Sequence, residues 1–177
     1  RLGLRLIKGL SEAAGQRIHT AQRRRAFVNV ADLRQRACLD RGDMEALAAA
    51  DALSGISGNR YQSHWQTMAL EAHRPLLSYD SAAQRSQDDA AVTATPTLPE
   101  DVIADYQSTG LTLRSHPLSL LRHQRPFDRC RRQTELETLG NHRFVRVAGL
   151  VTCRQRPGTA SGVVFLTLED ETGNINV

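Results

Sequence analysis

Apolar side chains recur at helical spacing through residues 1–71. Leu10, Ala13, Ala14, Ile18 and Ala21 share one face at intervals of three and four, which predicts an amphipathic helix. Ser11 stands where the N-cap belongs, and Glu12 sits beside the positive end of the helix dipole. Asn29, with Asp32 three residues on, imitates a capping box ahead of Leu33. Met44, Leu47 and Ala48 mark a further helix opened by Asp40, and Tyr61, Trp65, Met68 and Ala69 mark a fourth after the turn at 55–58. The pattern is one of short helices joined by tight glycine turns.

Residues 72–97 are rich in Ala, Ser, Gln, Asp and Thr and poor in large apolar side chains. They read as a flexible linker that buries too little to fold alone. From Pro99 the spacing is helical again through Val102, Ile103 and Tyr106, with Gly110 as the stop. His116 and Pro117 open a second short helix, Pro standing where its missing N–H costs nothing. Residues 98–140 are thus a helical connector. The period then drops to two. Val145, Val147 and Val151 alternate with Arg146, Ala148 and Thr152; a loop follows at 156–162, a second strand at 163–168, a turn at 170–173 and a third strand through Ile175 and Val177. Three successive antiparallel strands form a meander, the opening half of a small barrel. The expected class is α+β.

Length and composition narrow the options only a little. A chain of 177 residues, 40% hydrophobic and 24% charged, has ordinary globular composition and holds one or two domains. No run approaches the ~20 apolar residues of a membrane span, and no signal peptide opens the chain. Cys38, Cys130 and Cys153 are odd in number and widely spaced, which argues against a disulfide framework and suits a reducing, cytoplasmic setting. A start at Arg1 without Met, and a stop at Val177 within an expected strand, read as a piece of a longer protein.

Charge changes the picture more. The formal net charge is +4, distributed as +4 over residues 1–71, −4 over 72–113 and +4 over 114–177. Two basic blocks flank an acidic middle, an arrangement that permits a nucleic-acid partner without demanding one. Lys8 is the one lysine among 23 cations; codon bias gives the same ratio, so the preference for Arg carries no weight.

The most informative local run is 6–11, Leu-Ile-Lys-Gly-Leu-Ser. An apolar–Gly–apolar turn leading straight into a helix is the signature of a helix-hairpin-helix element. Gly9 lets the backbone approach a phosphate, the free amides of the turn and helix start (Leu10, Ser11) point at it, and Lys8 adds charge. Such a contact touches no base edge and is blind to sequence. The plain alternative is a helix C-cap glycine. A second run, 53–60, repeats the form: Gly55 bends the chain, Ser57 or Asn59 caps the next helix, and Arg60 sits in its first turn, where the dipole disfavours a cation and a phosphate would compensate. The plain alternative here is a solvated surface Arg. Arg23 and Arg24, with Arg25, could extend an electrostatic track. On the strands, Phe144 and Phe165 with Arg146, Arg154 and Arg156 could stack and neutralise single-stranded nucleic acid, although such Phe residues usually belong to a core.

Signals of catalysis are missing. The sequence has no Cys-x-x-Cys or His-x-x-x-His for a metal, no phosphate loop of the Gly-x-x-x-x-Gly-Lys type and no Gly-x-Ser-x-Gly elbow. Asp88 and Asp89 fall in the linker, and residues 169–171 fall in a hairpin turn, where acidic residues serve local geometry. His64 and His142 read as surface or partly packed residues. No catalytic residue, metal site or cofactor is assigned.

With these runs laid out, the chain resembles the C-terminal third of bacterial C-family DNA polymerases, closest to the error-prone, damage-inducible branch related to the polymerase III alpha subunit. The resemblance is carried by residues 1–10, 48–53 and 110–117 and above all by 145–151, 154–159 and 165–173. It implies a tandem helix-hairpin-helix region at 1–71, the linker at 72–97, the connector at 98–140 and the N-terminal part of an OB-fold domain at 141–177. It also implies a parent DNA-directed DNA polymerase in damage-induced mutagenesis and translesion synthesis, with Mg2+ held by palm carboxylates upstream of Arg1. Its partners would be duplex primer-template, single-stranded template and accessory proteins of the mutagenesis machinery, with no membrane. The run 74–77 lacks the Gln and aromatic of a sliding-clamp peptide. Two other readings stay open: a scaffold docking accessory proteins, and an RNA-binding OB-fold protein.

Overall fold

The computed structural model describes residues 3–70, 94–140, 142–158 and 162–177. Most of the expected linker, 72–93, lies outside the described residues, as do the carboxylates Asp88 and Asp89. The contacts divide into two compact units, one ending at Leu111 and the other beginning at Thr112.

The first unit is helical. After a 3-10 turn at Leu4–Leu6 come α1 (Glu12–Arg24), α2 (Val30–Arg36), α3 (Arg41–Ala49), the single turn α4 (Ser54–Ser57), α5 (Arg60–Ala69) and α6 (Leu98–Ser108). Local chemistry sets the helix starts. Ser11 Oγ accepts from the Ala14 amide at 3.1 Å, and Asn29 Oδ1 accepts from the Asp32 amide at 2.8 Å. Asp40 with Asp43, and Asn59 with Gln62, close reciprocal capping boxes. Asp32 does not complete one: its carboxylate accepts from the Val28 amide instead. The core is apolar and narrow, with Ala14 and Ile18 of α1, Val30 and Leu33 of α2, and Met44 and Leu47 of α3 all buried.

The helix α5 forms where expected but presents the opposite face. Tyr61, Trp65 and Met68 are 37%, 54% and 70% exposed, while Arg60, Ser63 and Thr67 are buried. The inward positions are polar because their groups find partners there. Ser63 Oγ lies 2.5 Å from Ser57 Oγ and donates to the Asn59 carbonyl at 2.9 Å.

The helical connector expected at 98–140 is divided between the two units, which part at Leu111/Thr112. Helix α6 packs on α3 within the first unit. Val102, Asp105 and Ser108 supply its buried face, and Gly110 ends it in the left-handed region, φ +84°.

The second unit holds two short helices, α7 (Pro117–Leu121) and α8 (Gln133–Leu136), and an antiparallel meander of β1 (Leu150–Gln155), β2 (Phe165–Glu169) and β3 (Asn174–Asn176) in the order β1-β2-β3. His116 Nδ1 accepts from the Leu118 amide at 3.2 Å and so caps α7. The expected strand from Val145 begins only at Leu150. The residues before it make a single parallel bridge between Arg131 and Val147, with the Arg131 amide donating to the Arg146 carbonyl at 2.8 Å. Gly149 marks the entry to β1, for a Cβ there would lie 2.6 Å from Leu168 Cβ and 3.1 Å from the Glu169 backbone. Every residue of β1 is exposed, so these strands form an open sheet.

Asp170 holds the second unit together. It is 3% exposed and accepts from the Thr172 hydroxyl and amide, the Gly173 amide, the Gln133 amide and Arg122 Nη2. Burial pushes its carboxyl up, but the hydrogen bonds outweigh burial and hold it below its ordinary range. Glu171 beside it also takes Arg122, at 2.8 Å, and is likewise held low: burial raises it and the Arg122 hydrogen bond overrides that. The acidic turn was expected to serve local geometry, and it also ties α7 and α8 to the sheet.

Candidate nucleic-acid interface

The turn at 8–11 precedes α1, a helix of 13 residues. Ile7 is buried in the core and anchors the turn from beneath. Gly9 takes φ +85°, a conformation that an L side chain resists, and the nearest atom to a Cβ placed there is Ala46 Cβ at 3.8 Å. Space is therefore free at Gly9, and backbone conformation alone selects glycine. Gly9 and Ser11 are exposed and Leu10 is partly so, as are the first helical positions Glu12 and Ala13. Helix starts leave their first amides outside the intrahelical ladder, and Ser11 Oγ caps that of Ala14. The Leu10 amide, expected to be free, instead closes the turn by donating to the Ile7 carbonyl at 3.3 Å, so the amides left to an anion are those from Ser11 into the first turn of α1, in the way helix N-termini allow. Glu12 shares this end and offsets part of its positive potential.

Lys8 is exposed yet engaged. Its amide donates to the Ser108 carbonyl at 2.9 Å, and Nζ donates to the Gln107 and Tyr106 carbonyls at 2.9 and 3.2 Å. The C-terminal end of α6 thus sits on the lysine that was expected to face phosphate.

The second turn departs further from expectation. Gly55 lies within α4, and the left-handed glycine is Gly58, φ +106°. A Cβ at Gly58 would collide with the Gln62 side chain. Of the two candidates it is Asn59 that caps α5, while the Ser57 hydroxyl turns inward to the Leu53 carbonyl and Ser63. Arg60 is not a surface cation awaiting phosphate. It is 4% exposed, its Nη2 donates to Asp105 Oδ1 at 2.5 Å, and its Nε lies 3.3 Å from Asp101 Oδ1. The compensation expected from nucleic acid comes from two carboxylates of α6, one helical turn apart on the same face. Nothing near residue 60 points to them, because they follow an intervening segment of unrelated composition.

Arg23 and Arg24 are exposed in the last turn of α1, where they complement the dipole. Twelve residues separate Ser11 from Arg23, or about 18 Å at 1.5 Å per residue, so they mark the far end of α1 from the Gly9 turn.

On the open sheet, Phe144 and Phe165 are both exposed, Phe165 by 52%. Phe165 pairs with Gln155, whereas Arg154 pairs with Leu166. Alternation puts Phe165 and Arg154 on opposite faces, so the expected aromatic-basic set does not gather on one surface. Arg146 and Arg156 are exposed and lie outside the strands. Among the described residues no group of three or more His, Cys, Asp and Glu side chains is placed to hold a metal ion. No helix among them is long and apolar enough to cross a membrane.

A family model described as a helix-hairpin-helix motif matches residues 1–63, which include both glycine turns. Along its whole length the chain is 50% identical to the error-prone DNA polymerase of Saccharophagus degradans and 49% identical to that of Teredinibacter turnerae. It is 51% identical over 178 aligned positions to the error-prone DNA polymerase of Pseudomonas fluorescens. The chain is homologous, end to end, to a segment of the error-prone DNA polymerases. It spans 17% of the length of each of these three relatives, and all of its own residues are covered. The resemblance read from the sequence to error-prone polymerases is therefore the relationship found, and the helix-hairpin-helix motif falls where the glycine turns placed it.

Proposed function

We propose that this chain is the non-catalytic DNA-binding segment of an error-prone DNA polymerase. It grips duplex DNA by the sugar-phosphate backbone at the turn of residues 8–11. The observation that carries this reading is Gly9, left-handed and exposed directly ahead of the Ser11-capped start of α1, inside the stretch matched by the helix-hairpin-helix model. A turn of that shape offers backbone amides to a phosphate and reads no base, which suits a polymerase that must hold any sequence. Arg23 and Arg24 add charge at the other end of α1. The turn at 55–60 supports the block from within: Gly58, Asn59 and the buried Arg60 shape it.

The parent protein on this reading is a DNA-directed DNA polymerase of damage-induced mutagenesis and translesion synthesis, working in the cytoplasm, with its Mg2+ and catalytic carboxylates elsewhere in the chain. The meander is the start of an OB-fold domain near single-stranded template, with Phe165 exposed on one face. Duplex affinity measured against salt, with and without Gly9→Val, tests the backbone grip.

The exposed stripe of Tyr61, Trp65 and Met68 on α5 favours a second reading, a scaffold for accessory proteins. A scaffold alone binds no duplex at low salt.

A further inference from the structure

Helix α6 meets the helix-hairpin-helix block almost wholly through polar groups. Along its length, Glu100 lies beside the Tyr61 hydroxyl, Asp101 and Asp105 face Arg60, and the carbonyls of Tyr106, Gln107 and Ser108 take Lys8. Val102 is its one buried large apolar residue; Leu98 and Ile103 are 43% and 58% exposed. A cleft of about 340 Å³ runs along the contact, lined by Lys8, Arg60, His64 and Ala104 among others, and Arg60 Nη1 is buried there without a hydrogen-bond partner. Well-packed interior contacts leave few such orphaned donors.

The groups α6 presents are anionic or partly negative oxygens: two carboxylates and the carbonyls at the negative end of a helix. The groups it covers are Lys8, at the turn proposed to grip DNA, and Arg60, at the second turn. A phosphate backbone would bring the same chemistry to the same cations.

We propose that α6 is a releasable anionic cover on the helix-hairpin-helix block, occupying Lys8 and Arg60 in place of nucleic-acid phosphate, so that α6 docking and duplex binding compete. This rests on the backbone-grip reading above. Its polar attachment makes the cover exchangeable: carboxylates and cations that part from each other in the open state are each solvated, and Val102 is the one large apolar side chain of α6 that docking buries fully.

The test uses the full chain and a labelled duplex oligonucleotide. In Asp101→Asn/Asp105→Asn the cover is weakened, and duplex affinity is expected to rise at least about fivefold, the lower end of ordinary coupling between sites. Unchanged or weaker binding in a variant that still melts cooperatively overturns the proposal. Because that variant removes both partners of a buried Arg, hydrogen exchange on the unaltered chain provides the second measurement. Saturating duplex is expected to speed exchange of the α6 amides, and unchanged or slower exchange overturns the proposal. Gly9→Val separates this inference from the reading beneath it. If Gly9→Val weakens binding while the α6 variant and the exchange do not respond, the cover is wrong and the grip stands. If Gly9→Val binds duplex as the unaltered chain does, both fall.

Discussion

Arg60 Nη2 donates to Asp105 Oδ1 at 2.5 Å, joining α5 to a helix that lies beyond the acidic middle of the sequence. That bond makes α6 part of the first unit. Asp105→Ala leaves the guanidinium only its 3.3 Å contact with Asp101, and a buried donor without its acceptor costs about 1–3 kcal/mol. The loss falls on α6 docking. Hydrogen exchange of α6 amides is expected to quicken by roughly ten- to a hundredfold, with the amides of α1 and α3 far less affected.

The inverted face of α5 gives a contrast. Ser63 is completely buried with its hydroxyl bonded twice, so Ser63→Leu overpacks the site and strands its partners, costing about 1–3 kcal/mol. Met68, 70% exposed, is replaceable: Met68→Gln is expected to change stability by less than about 0.5 kcal/mol. Urea denaturation of the two variants checks both values, and the periodicity of the sequence alone would have ranked them the other way.

Gly149 is a separate case of close approach. An alanine there meets Leu168 Cβ at 2.6 Å and Glu169 backbone at 3.1 Å, and backbone cannot yield as a flexible side chain can. Gly149→Ala is expected to destabilise the β1–β2 pairing by about 1–3 kcal/mol, seen as a lower melting temperature and faster exchange at the Leu168 and Thr167 amides.

The second unit should be acid-sensitive. Asp170 and Glu171 are held below their ordinary range in the folded chain. A carboxyl with a depressed folded value contributes stability that is complete above its unfolded value and is lost as pH falls through the folded one. Unfolding of this unit is therefore expected to become easier as pH drops below the ordinary carboxylate range. In Asp170→Asn the same titration should be shallower, and the variant should be less stable at neutral pH.

Much of the fold could be read directly from residue spacing and caps. Ser11, Asn29 and Asp40 cap the helices they were expected to cap, and of the two candidates Ser57 and Asn59 it is Asn59 that caps α5, because capping is decided within three residues. The three-strand meander and the turn at 170–173 were legible for the same reason. The failures are non-local. Arg60 looked like a surface cation because its partners, Asp101 and Asp105, lie across a segment that carries no pairing signal. The exposed stripe of α5 looked like core because apolar periodicity does not reveal which face meets the neighbours; Ser57 and Asn59 supplied the partners that let Ser63 turn inward. Gly55 and Gly58 were indistinguishable by spacing, and the collision awaiting a Cβ at Gly58 appears only once Gln62 has closed its capping box. At the candidate site Gly9 and Ser11 were legible, whereas the engagement of Lys8 by the end of α6 was not.

The central claim is that the turn at Gly9 presents its backbone to a phosphate, and the salt dependence of duplex affinity addresses it most directly. The logarithm of affinity falls linearly with the logarithm of salt, by about 0.9 per phosphate neutralised on duplex DNA. Binding by the unaltered chain is expected to follow such a line with equal slope on unrelated sequences, and Gly9→Val is expected to bind severalfold more weakly with a shallower slope. Equal affinity and equal slope in Gly9→Val, or no duplex binding by the unaltered chain at low salt, would contradict it.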